Sequence, residues 1–356
     1  MRLSLFIFFV VKKIKLYFCH SFKMIDTMHL RKLFTFSCTV VAINILVAQS
    51  MDSTYAEKLG FPKGSKVVIL HVDDVGMSYD SNEGAIKAMN NGVATSCSVM
   101  MPCPWVPSYI HYLKSHAETD AGLHLTLTSE WKEYRWGPLS GKTNVPGLTD
   151  TEGDLWPDVS DVVQHATAEE VGKEIKAQLD RARGMGFEPT HLDSHMGTLF
   201  ATPAYLMKYI TLGIENHIPV MLPAGHSTLI LQQTPSLSGQ VAQIRALGKK
   251  LWDSGLPVLD DLHNDTYGWK PDSAQTTDNY KTPKYIEALR SLKPGITMII
   301  MHCTATTNVF QHITDSGASR KADLLAMMDP AFKQALADQG IILTTWRELK
   351  KRRDKM

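Results

Sequence analysis

From residue 65 onward, short apolar runs alternate with segments of helical pattern, and this alternation constrains the fold more than any other feature. Eight runs are candidate strands, at residues 66–72, 95–101, 122–128, 189–194, 219–222, 256–262, 296–302 and 340–345. Strands that alternate with helices pair in a parallel sheet. The sequence therefore predicts an α/β fold, and eight runs favour a TIM-barrel-like (β/α) barrel, complete or distorted, over an open sheet.

Signals for helix ends and long loops complete this outline. Four boundaries carry capping residues: Gly92 as a C-cap, a Thr167/Glu170 capping box, and Thr202-Pro203 and Thr282-Pro283 as N-caps followed by proline. Residues 129–165 and 223–255 are rich in turn residues, and we expect them to form long loops. Without a repeat or linker to divide it, the region 49–356 is expected to be a single domain.

The first 48 residues differ from this pattern and are typical of a leader segment. Residues 28–48 have a basic start and an apolar run that ends at Ala48, which predicts a secretory signal peptide. Residues 1–27 are an upstream extension from a wrongly assigned start codon or a membrane anchor. The run LFIFFVV is too short to span a bilayer, which favours the extension. We expect export to the periplasm or extracellular space, without stable membrane insertion after signal removal.

The charge of the remaining chain argues against some partners. The full chain has 37 Lys and Arg against 36 Asp and Glu, and residues 49–356 keep 30 against 35, a net charge of −5. No basic stripe stands out in the sequence. We therefore expect no nucleic acid partner.

Acidic residues and histidines cluster at the ends of four candidate strands. They are Asp73 and Asp74 after the first, His124 in the third, His191, Asp193 and His195 around the end of the fourth, and His302 at the end of the seventh. Because active sites of barrels gather at the carboxyl ends of the strands, we expect these side chains to meet. Imidazoles with a carboxylate bind a divalent ion and leave positions open for water. A second carboxylate can act as general base, so the pattern predicts metal-assisted hydrolysis.

Each of these residues, taken alone, also has a structural interpretation. Adjacent aspartates after a strand often form a turn or cap the next helix. A histidine in an apolar strand, such as His124, is often a hydrogen-bonded core residue. The cluster at 191–195 could be a turn with exposed histidines. His71 has nothing beyond its position in favour of a role, and we expect it to be structural.

Five segments together resemble the YdjC-like family of carbohydrate deacetylases, which includes chitooligosaccharide deacetylases. They are VDDVG (72–76), GLHLTLT (122–128), PTHLDSH (189–195), ASRKADL (318–324) and GIILTTWREL (340–349). The resemblance covers residues 65–350. It implies a TIM-barrel variant that binds one divalent metal ion per chain, zinc or magnesium, and that is often a homodimer.

The resemblance also implies roles for individual residues. The implied metal ligands are Asp74, His124 and His195, with Asp73 as the base and His302 as the acid that protonates the departing amine. Two imidazoles and one carboxylate favour zinc over magnesium, whose preferred ligands are oxygens. We expect His191, Asp193 and Arg320 to support the ligands or to contact the substrate.

Two departures from the family pattern bear on the substrate. Gly197 stands where a further histidine is common, and residues 220–225 lack the arginine that often follows the fifth strand in the family. Replacement contacts could come from Asp260, Asp261 or His263. These residues could equally cap the loop that follows them.

Aromatic residues follow two of the candidate strands. They are Trp131, Tyr134 and Trp136 in the first long loop, and Tyr267 and Trp269 after the sixth strand. Flat side chains of this kind suit the apolar faces of sugar rings. Pinning the loop to the barrel explains them equally well.

The sequence thus predicts an exported, metal-dependent hydrolase that removes N-acetyl groups from acetamido sugars or oligosaccharides. A metal-dependent amide or ester hydrolase for another acyl substrate uses the same ligands. A carbohydrate-binding protein with the same fold and no turnover is the alternative outside enzymes, although binding alone needs no base beside a metal ligand. If the polar cluster is merely structural, no metal is bound.

Overall fold

A computed structural model describes residues 53–272 and 278–356, and Ser53–Met356 forms one compact unit. The predicted signal peptide and the rest of the leader lie outside the described residues. The strands are β1 Lys66–Val75, β2 Ser96–Val99, β3 Ala121–Leu125, β4 Leu192–Ser194, β5 Asp261–His263, β6 Gly295–Met301 and β7 Ile342–Leu343. Among the described residues, no helix combines the length and apolarity that crossing a membrane requires.

Helices connect most of the strands, as the alternating pattern predicts. They are α1 Tyr55–Lys58, α2 Tyr79–Asn90, α3 Val106–Ser115, α4 Val159–His165, α5 Ala168–Gly184, α6 Pro203–Asn216, α7 Thr228–Gln233, α8 Val241–Asp253, α9 Lys281–Ser291, α10 Gly317–Met328, α11 Pro330–Asp338 and α12 Trp346–Arg353. Short 3₁₀ helices span Pro146–Leu148, His195–Phe200, Pro235–Gln240, Thr266–Gly268 and Phe310–His312. The segments expected to be long loops therefore contain α4, α7 and α8.

The strands form one parallel sheet with β1 at its centre. Their order is β4-β3-β2-β1-β6-β5, and β7 also pairs with β1. Every residue of β1 after Lys66 is buried, as expected for a parallel strand that is covered on both faces. The predicted α/β fold with a parallel sheet is confirmed.

The fifth candidate strand, residues 219–222, does not form a regular strand. Val220 makes a single parallel bridge to Leu192, the first residue of β4, and Pro223, which follows the candidate strand, makes one to Leu259 just before β5. The segment therefore lies between the two ends of the sheet, which curls toward itself. The described residues form a curled parallel sheet of seven strands, and the eight regular strands of a complete barrel are not present among them.

Two of the four capping predictions are confirmed and two are wrong. Thr167 and Glu170 form the capping box of α5, and the Thr202 side chain caps α6. The C-cap of α2 is Asn91 rather than Gly92. Helix α9 begins one residue before Thr282, whose hydroxyl instead donates to Asn279 Oδ1 at 2.5 Å.

Candidate active site

Both aspartates at the end of β1 line the same cavity, and a local distortion of the strand explains how. Successive side chains of a regular strand point to opposite faces. Here the pairing of β1 with β2 shifts register between Val72 and Val75, and Asp74 has a positive φ of 63°. A bulge of this kind re-aims a side chain, and aspartate is among the residues that tolerate the left-handed region. Asp73 and Asp74 can therefore face one cavity together.

Asp74, His124 and His195 converge at the end of this strand. Asp74 Oδ1 lies 3.3 Å from His124 Nε2 and 3.3 Å from His195 Nδ1. One ligand atom from each residue lies within 4.8 Å of the others, and all three residues are buried. Asp74 Oδ1 makes no hydrogen bond to any described residue. The two imidazoles therefore approach this oxygen without hydrogen-bonding geometry.

The second oxygen of Asp74 is paired with Arg320. The Arg320 Nη1 atom donates to Asp74 Oδ2 at 2.7 Å, and Arg320 Nε donates to Ser316 Oγ at 2.8 Å. Burial alone would raise the pKa of Asp74, but the charge of Arg320 holds this pKa well below its usual range. Asp74 is therefore an ionised carboxylate with one oxygen paired and the other available to a ligand.

A buried network beneath these side chains orients His124. Asp193 Oδ1 lies 2.6 Å from His124 Nδ1 and accepts its hydrogen, which leaves His124 Nε2 turned toward Asp74. Asp193 Oδ2 lies 2.9 Å from His71 Nε2 and 3.6 Å from His191 Nε2. Burial would raise the pKa of Asp193, yet His124 and the other two imidazoles hold it well below its usual range.

His71 links this network to Asp73, although nothing in its sequence context indicates a role. Its Nε2 atom lies 3.1 Å from Asp73 Oδ1 and 3.1 Å from Ser98 Oγ. Burial alone would lower the pKa of His71, but Asp193 and Asp73 together raise it to about 9. His71 is therefore a cation at neutral pH that lies between the two carboxylates.

Glu130, which the sequence analysis missed, orients His195. The Glu130 Oε2 atom lies 3.1 Å from His195 Nε2, so this nitrogen donates and His195 Nδ1 is turned toward Asp74. Burial would lower the pKa of His195, but Glu130 and Asp74 raise it to about 9. The available signal was weak: Glu130 is an acidic residue that follows the end of β3 at the start of a long segment.

Asp323, also missed, fixes the backbone of His302. Its Oδ2 atom accepts from the His302 backbone N–H at 3.1 Å, and its Oδ1 atom accepts from Lys281 Nζ at 2.8 Å and from the Tyr285 hydroxyl at 2.7 Å. The His302 ring lines the cavity, with its centroid 5.0 Å from that of Tyr267. Burial lowers the pKa of His302.

A cavity of about 580 Å³ contains these groups. Of the predicted site residues, it is lined by Asp73, Asp74, His124, His195, His302, Trp131 and Arg320. The Arg320 guanidinium lies 5.8 Å from the ring of Trp131 and 5.5 Å from the ring of Tyr267. Two aromatic side chains therefore flank the arginine that holds Asp74.

Trp136 lies outside the lining of this cavity and anchors the segment after β3. It is buried, its Nε1 donates to Thr128 O at 3.0 Å, and its ring packs edge-on against Trp131 at 5.4 Å. The loop-pinning interpretation therefore describes Trp136. A contact with substrate stays a prediction for Trp131.

Asp261 and His263 also lie outside the cavity lining. Asp261 accepts the backbone N–H groups of Leu229 at 2.8 Å and Ile230 at 3.3 Å, which caps the first turn of α7. His263 packs edge-on against Trp269 with ring centroids 5.5 Å apart. Asp261 therefore caps a helix that precedes it in the chain rather than the loop that follows it.

The convergent side chains fit a divalent metal ion. Asp193 and Glu130 each engage one imidazole nitrogen and leave the other toward Asp74 Oδ1, the oxygen that lacks a hydrogen bond within the described ranges. Hydrogen bonding of the outer nitrogen to a carboxylate is the usual support of a metal-binding histidine. Two imidazoles and one carboxylate are also a common donor set of sites with open positions. Asp74, His124 and His195 could therefore hold the ion.

The protein is thus an α/β protein with a curled parallel sheet and a candidate metal centre at the carboxyl ends of its strands. The chain belongs to the YdjC-like protein family, whose sequence profile matches residues 67–338. The predicted family is thereby confirmed, and four of the five motifs lie within the matched residues.

Two named relatives match most of the chain, and a third matches a shorter part of it. A carbohydrate deacetylase of Thermus thermophilus is 30% identical over 83% of this chain and 97% of its own length. A carbohydrate deacetylase of Geobacillus stearothermophilus is 25% identical over 80% of this chain and 98% of its own length. A chitooligosaccharide deacetylase of Klebsiella pneumoniae is 33% identical over 39% of this chain and 53% of its own length. The solved structure of an Enterococcus faecalis protein, described as a candidate for cellobiose-phosphate cleavage, has the same fold with a TM-score of 0.65. The match covers 80% of this chain and 99% of that protein, at 21% sequence identity.

Proposed function

We propose that the protein is an exported, metal-dependent deacetylase that hydrolyses the N-acetyl group of an acetamido sugar or oligosaccharide. The observation that carries this proposal is the convergence of Asp74, His124 and His195 beside a second carboxylate, Asp73, in one cavity. The names of the curated relatives support the substrate class.

Asp74, His124 and His195 would hold one divalent ion. When bound, the ion supplies Lewis acidity, which polarises the acyl carbonyl and lowers the pKa of water. We favour zinc over magnesium, because two of the three donors are imidazole nitrogens.

Asp73 is the base in this proposal. It lines the cavity, and its Oδ2 atom lies 3.8 Å from His124 Nε2, next to the proposed ligands. Its Oδ1 atom is held by His71 and Ser98, which leaves Oδ2 to take a proton from the attacking water. The cation of His71 also offsets the repulsion between Asp73 and the neighbouring carboxylates.

His302 is the acid in this proposal. Because burial lowers its pKa, the protonated ring is a stronger acid than an exposed imidazole and passes its proton readily to the departing amine. The bond from its backbone N–H to Asp323 fixes where the ring enters the cavity. Trp131 and Tyr267, which flank Arg320, offer flat surfaces to a sugar ring.

The proposal includes the expected location and architecture of the protein. The basic start and apolar run of residues 28–48 support export. The bridges made by Val220 and Pro223 support a distorted (β/α) barrel in a single domain of residues 49–356. A homodimer is expected from the family.

Metal content and amine release test the proposal. The chain from residue 49 onward is measured for bound metal and for amine release from N-acetylated chitooligosaccharides. We expect about one ion per chain, lost in His195→Ala, and we expect Asp73→Asn to keep the ion but lose activity. A protein without metal would overturn the site and mechanism together, whereas bound metal without amine release would point to another acyl substrate or to a binding protein.

A further inference from the structure

The cavity has two sides of opposite chemistry. One side carries the charged groups described above. The other is built from α6, α7, α8 and the segment before α7, and its side chains are aliphatic: Leu206, Met221, Leu222, Ile230, Leu231 and Ile244. We call this side the aliphatic wall.

The aliphatic wall offers almost nothing to the hydroxyl groups of a sugar. Of the described residues from 196 to 262 that line the cavity, none carries a charge, and the neutral polar side chains among them are those of Ser227, Thr234 and Gln240, beside the six aliphatic ones of the wall. The Ser227 hydroxyl in this region already donates to Pro223 O at 2.8 Å. A sugar hydroxyl placed against the wall would lose its hydrogen bonds to water without replacement. The wall therefore selects for an apolar group.

The wall is continuous with the reaction centre. Leu231 and Ile244 are only half-buried, although they face the same cavity as Asp73 and Asp74. A volume of about 580 Å³ lies in the range of pockets that enclose drug-sized ligands. A molecule whose amide lies at Asp73 can therefore extend along the wall.

We propose that the substrate is an amphipathic N-acyl amino sugar, whose hydrocarbon chain lies along the aliphatic wall while its amide lies at Asp73. This inference rests on the proposed function; it narrows the sugar substrate if the chain is joined to the sugar, and extends the reaction beyond acetyl if the chain is the acyl group. The chain is either the acyl group itself or a lipid joined to the sugar. Water adds to the acyl carbon, the C–N bond breaks, and the products are a carboxylate and an amine that takes up the proton.

Two series of substrates test the inference with the metal-loaded chain from residue 49 onward, below the micelle concentration of each compound. One series is glucosamine with acetyl, octanoyl or tetradecanoyl groups, and the other is N-acetylglucosamine as its methyl, octyl or dodecyl glycoside. Complete burial of a methylene lowers KM roughly threefold or fourfold. We expect KM to fall at least a hundredfold between the first and second members of one series, and that series shows where the chain is attached.

Flat KM values in both series, with amine released from the shortest members, would overturn the inference and leave the proposed function intact. If neither these compounds nor N-acetylated chitooligosaccharides are hydrolysed, the proposed function fails, and calorimetric binding of the two series decides the inference. Affinity that rises with chain length supports it, and affinity independent of chain length overturns it.

A pair of variants on α8 separates the wall from the rest of the helix. Ile244 lines the cavity, whereas Leu247 on the same helix is half-buried outside the lining. We expect Ile244→Gln to reduce the ratio of kcat/KM for the long-chain over the short-chain substrate at least tenfold, and Leu247→Gln to change it less than twofold. Equal ratios in both variants contradict the inference. So does loss of a dimer in Ile244→Gln without a change in the ratio, because the wall would then be an interface between two copies.

Discussion

The bond between Asp193 and His124 makes the sharpest prediction about the proposed metal centre. Asp193→Asn keeps the shape of the side chain but removes its charge, and its amide nitrogen must face one of the imidazoles that the two carboxylate oxygens now contact. The short distance of 2.6 Å and complete burial make this a strong charge-assisted bond. Loss of such support typically weakens metal binding 10- to 100-fold, or about 1.4–2.8 kcal/mol.

Zinc affinity of the two proteins is measured by competition with a chelator of known affinity. Asp261→Asn is the matched control, because Asp261 is equally buried but caps α7 outside the cavity lining. We expect the control to bind zinc as the unmodified protein does. If Asp193→Asn retains its circular dichroism spectrum and binds zinc within threefold of the unmodified protein, the assigned role of Asp193 is wrong.

Three further predictions concern stability. Because the pKa of His71 is raised to about 9, its protonated form stabilises the fold fully below pH 6.5, and this contribution is lost as the pH rises through 9. At about 1.4 kcal/mol per pKa unit, the free energy of unfolding, measured with urea in the presence of a chelator, should fall by about 3 kcal/mol over this pH range. The fall should be absent in His71→Asn, and equal pH slopes of the two proteins would contradict the prediction. A Cβ on Gly122 would overlap the buried imidazole of His191, so Gly122→Ala should lower the free energy of unfolding by about 1–3 kcal/mol, measured by thermal unfolding. Gly184→Ala is the control: a Cβ there has nothing within 4 Å, and the substitution should not destabilise the protein. Arg320→Met leaves Asp74 Oδ2 buried without its partner, while the imidazoles of His124 and His195 still lie 3.3 Å from Oδ1. The metal-free protein should therefore lose about 1–3 kcal/mol, the cost of one unsatisfied buried acceptor, and zinc should restore part of it. A loss below about 1 kcal/mol would refute the pairing.

The sequence predicts the sheet and the cluster of polar side chains well, because both follow from periodicity. Buried parallel strands are apolar along their whole length, and the polar residues that interrupt them at one end are conspicuous, as at Asp73 and His302. The fifth run, residues 219–222, is equally apolar but makes only single bridges. Apolar character reports burial, and it does not report whether the neighbouring strands are aligned closely enough for a ladder.

The details that orient the side chains were beyond reach of the sequence. Glu130 and Asp323 each contact a histidine that is far away in the sequence. Glu130 follows a strand in a segment without a motif, and Asp323 lies in ASRKADL, a motif that indicates the family but not the contact with His302. Two adjacent aspartates at the end of a strand are expected to point in opposite directions, and only the register shift beside Asp74 explains why both enter the cavity. The polar residues at the strand ends can thus be recognised in the sequence, whereas the residues that orient them can be recognised only in the structure.

The left-handed backbone at Asp74 places two requirements on this residue: it must adopt a positive φ, and it must carry a charged carboxylate. Glutamate could supply a carboxylate but not the backbone angle at low cost, whereas glycine could supply the angle without any ligand. Asparagine tolerates the angle but cannot carry the charge that Arg320 pairs with. A designer who moves this constellation to another scaffold would therefore have to transplant the irregular end of β1 as a unit, since side chains grafted onto a regular strand would leave one aspartate facing away.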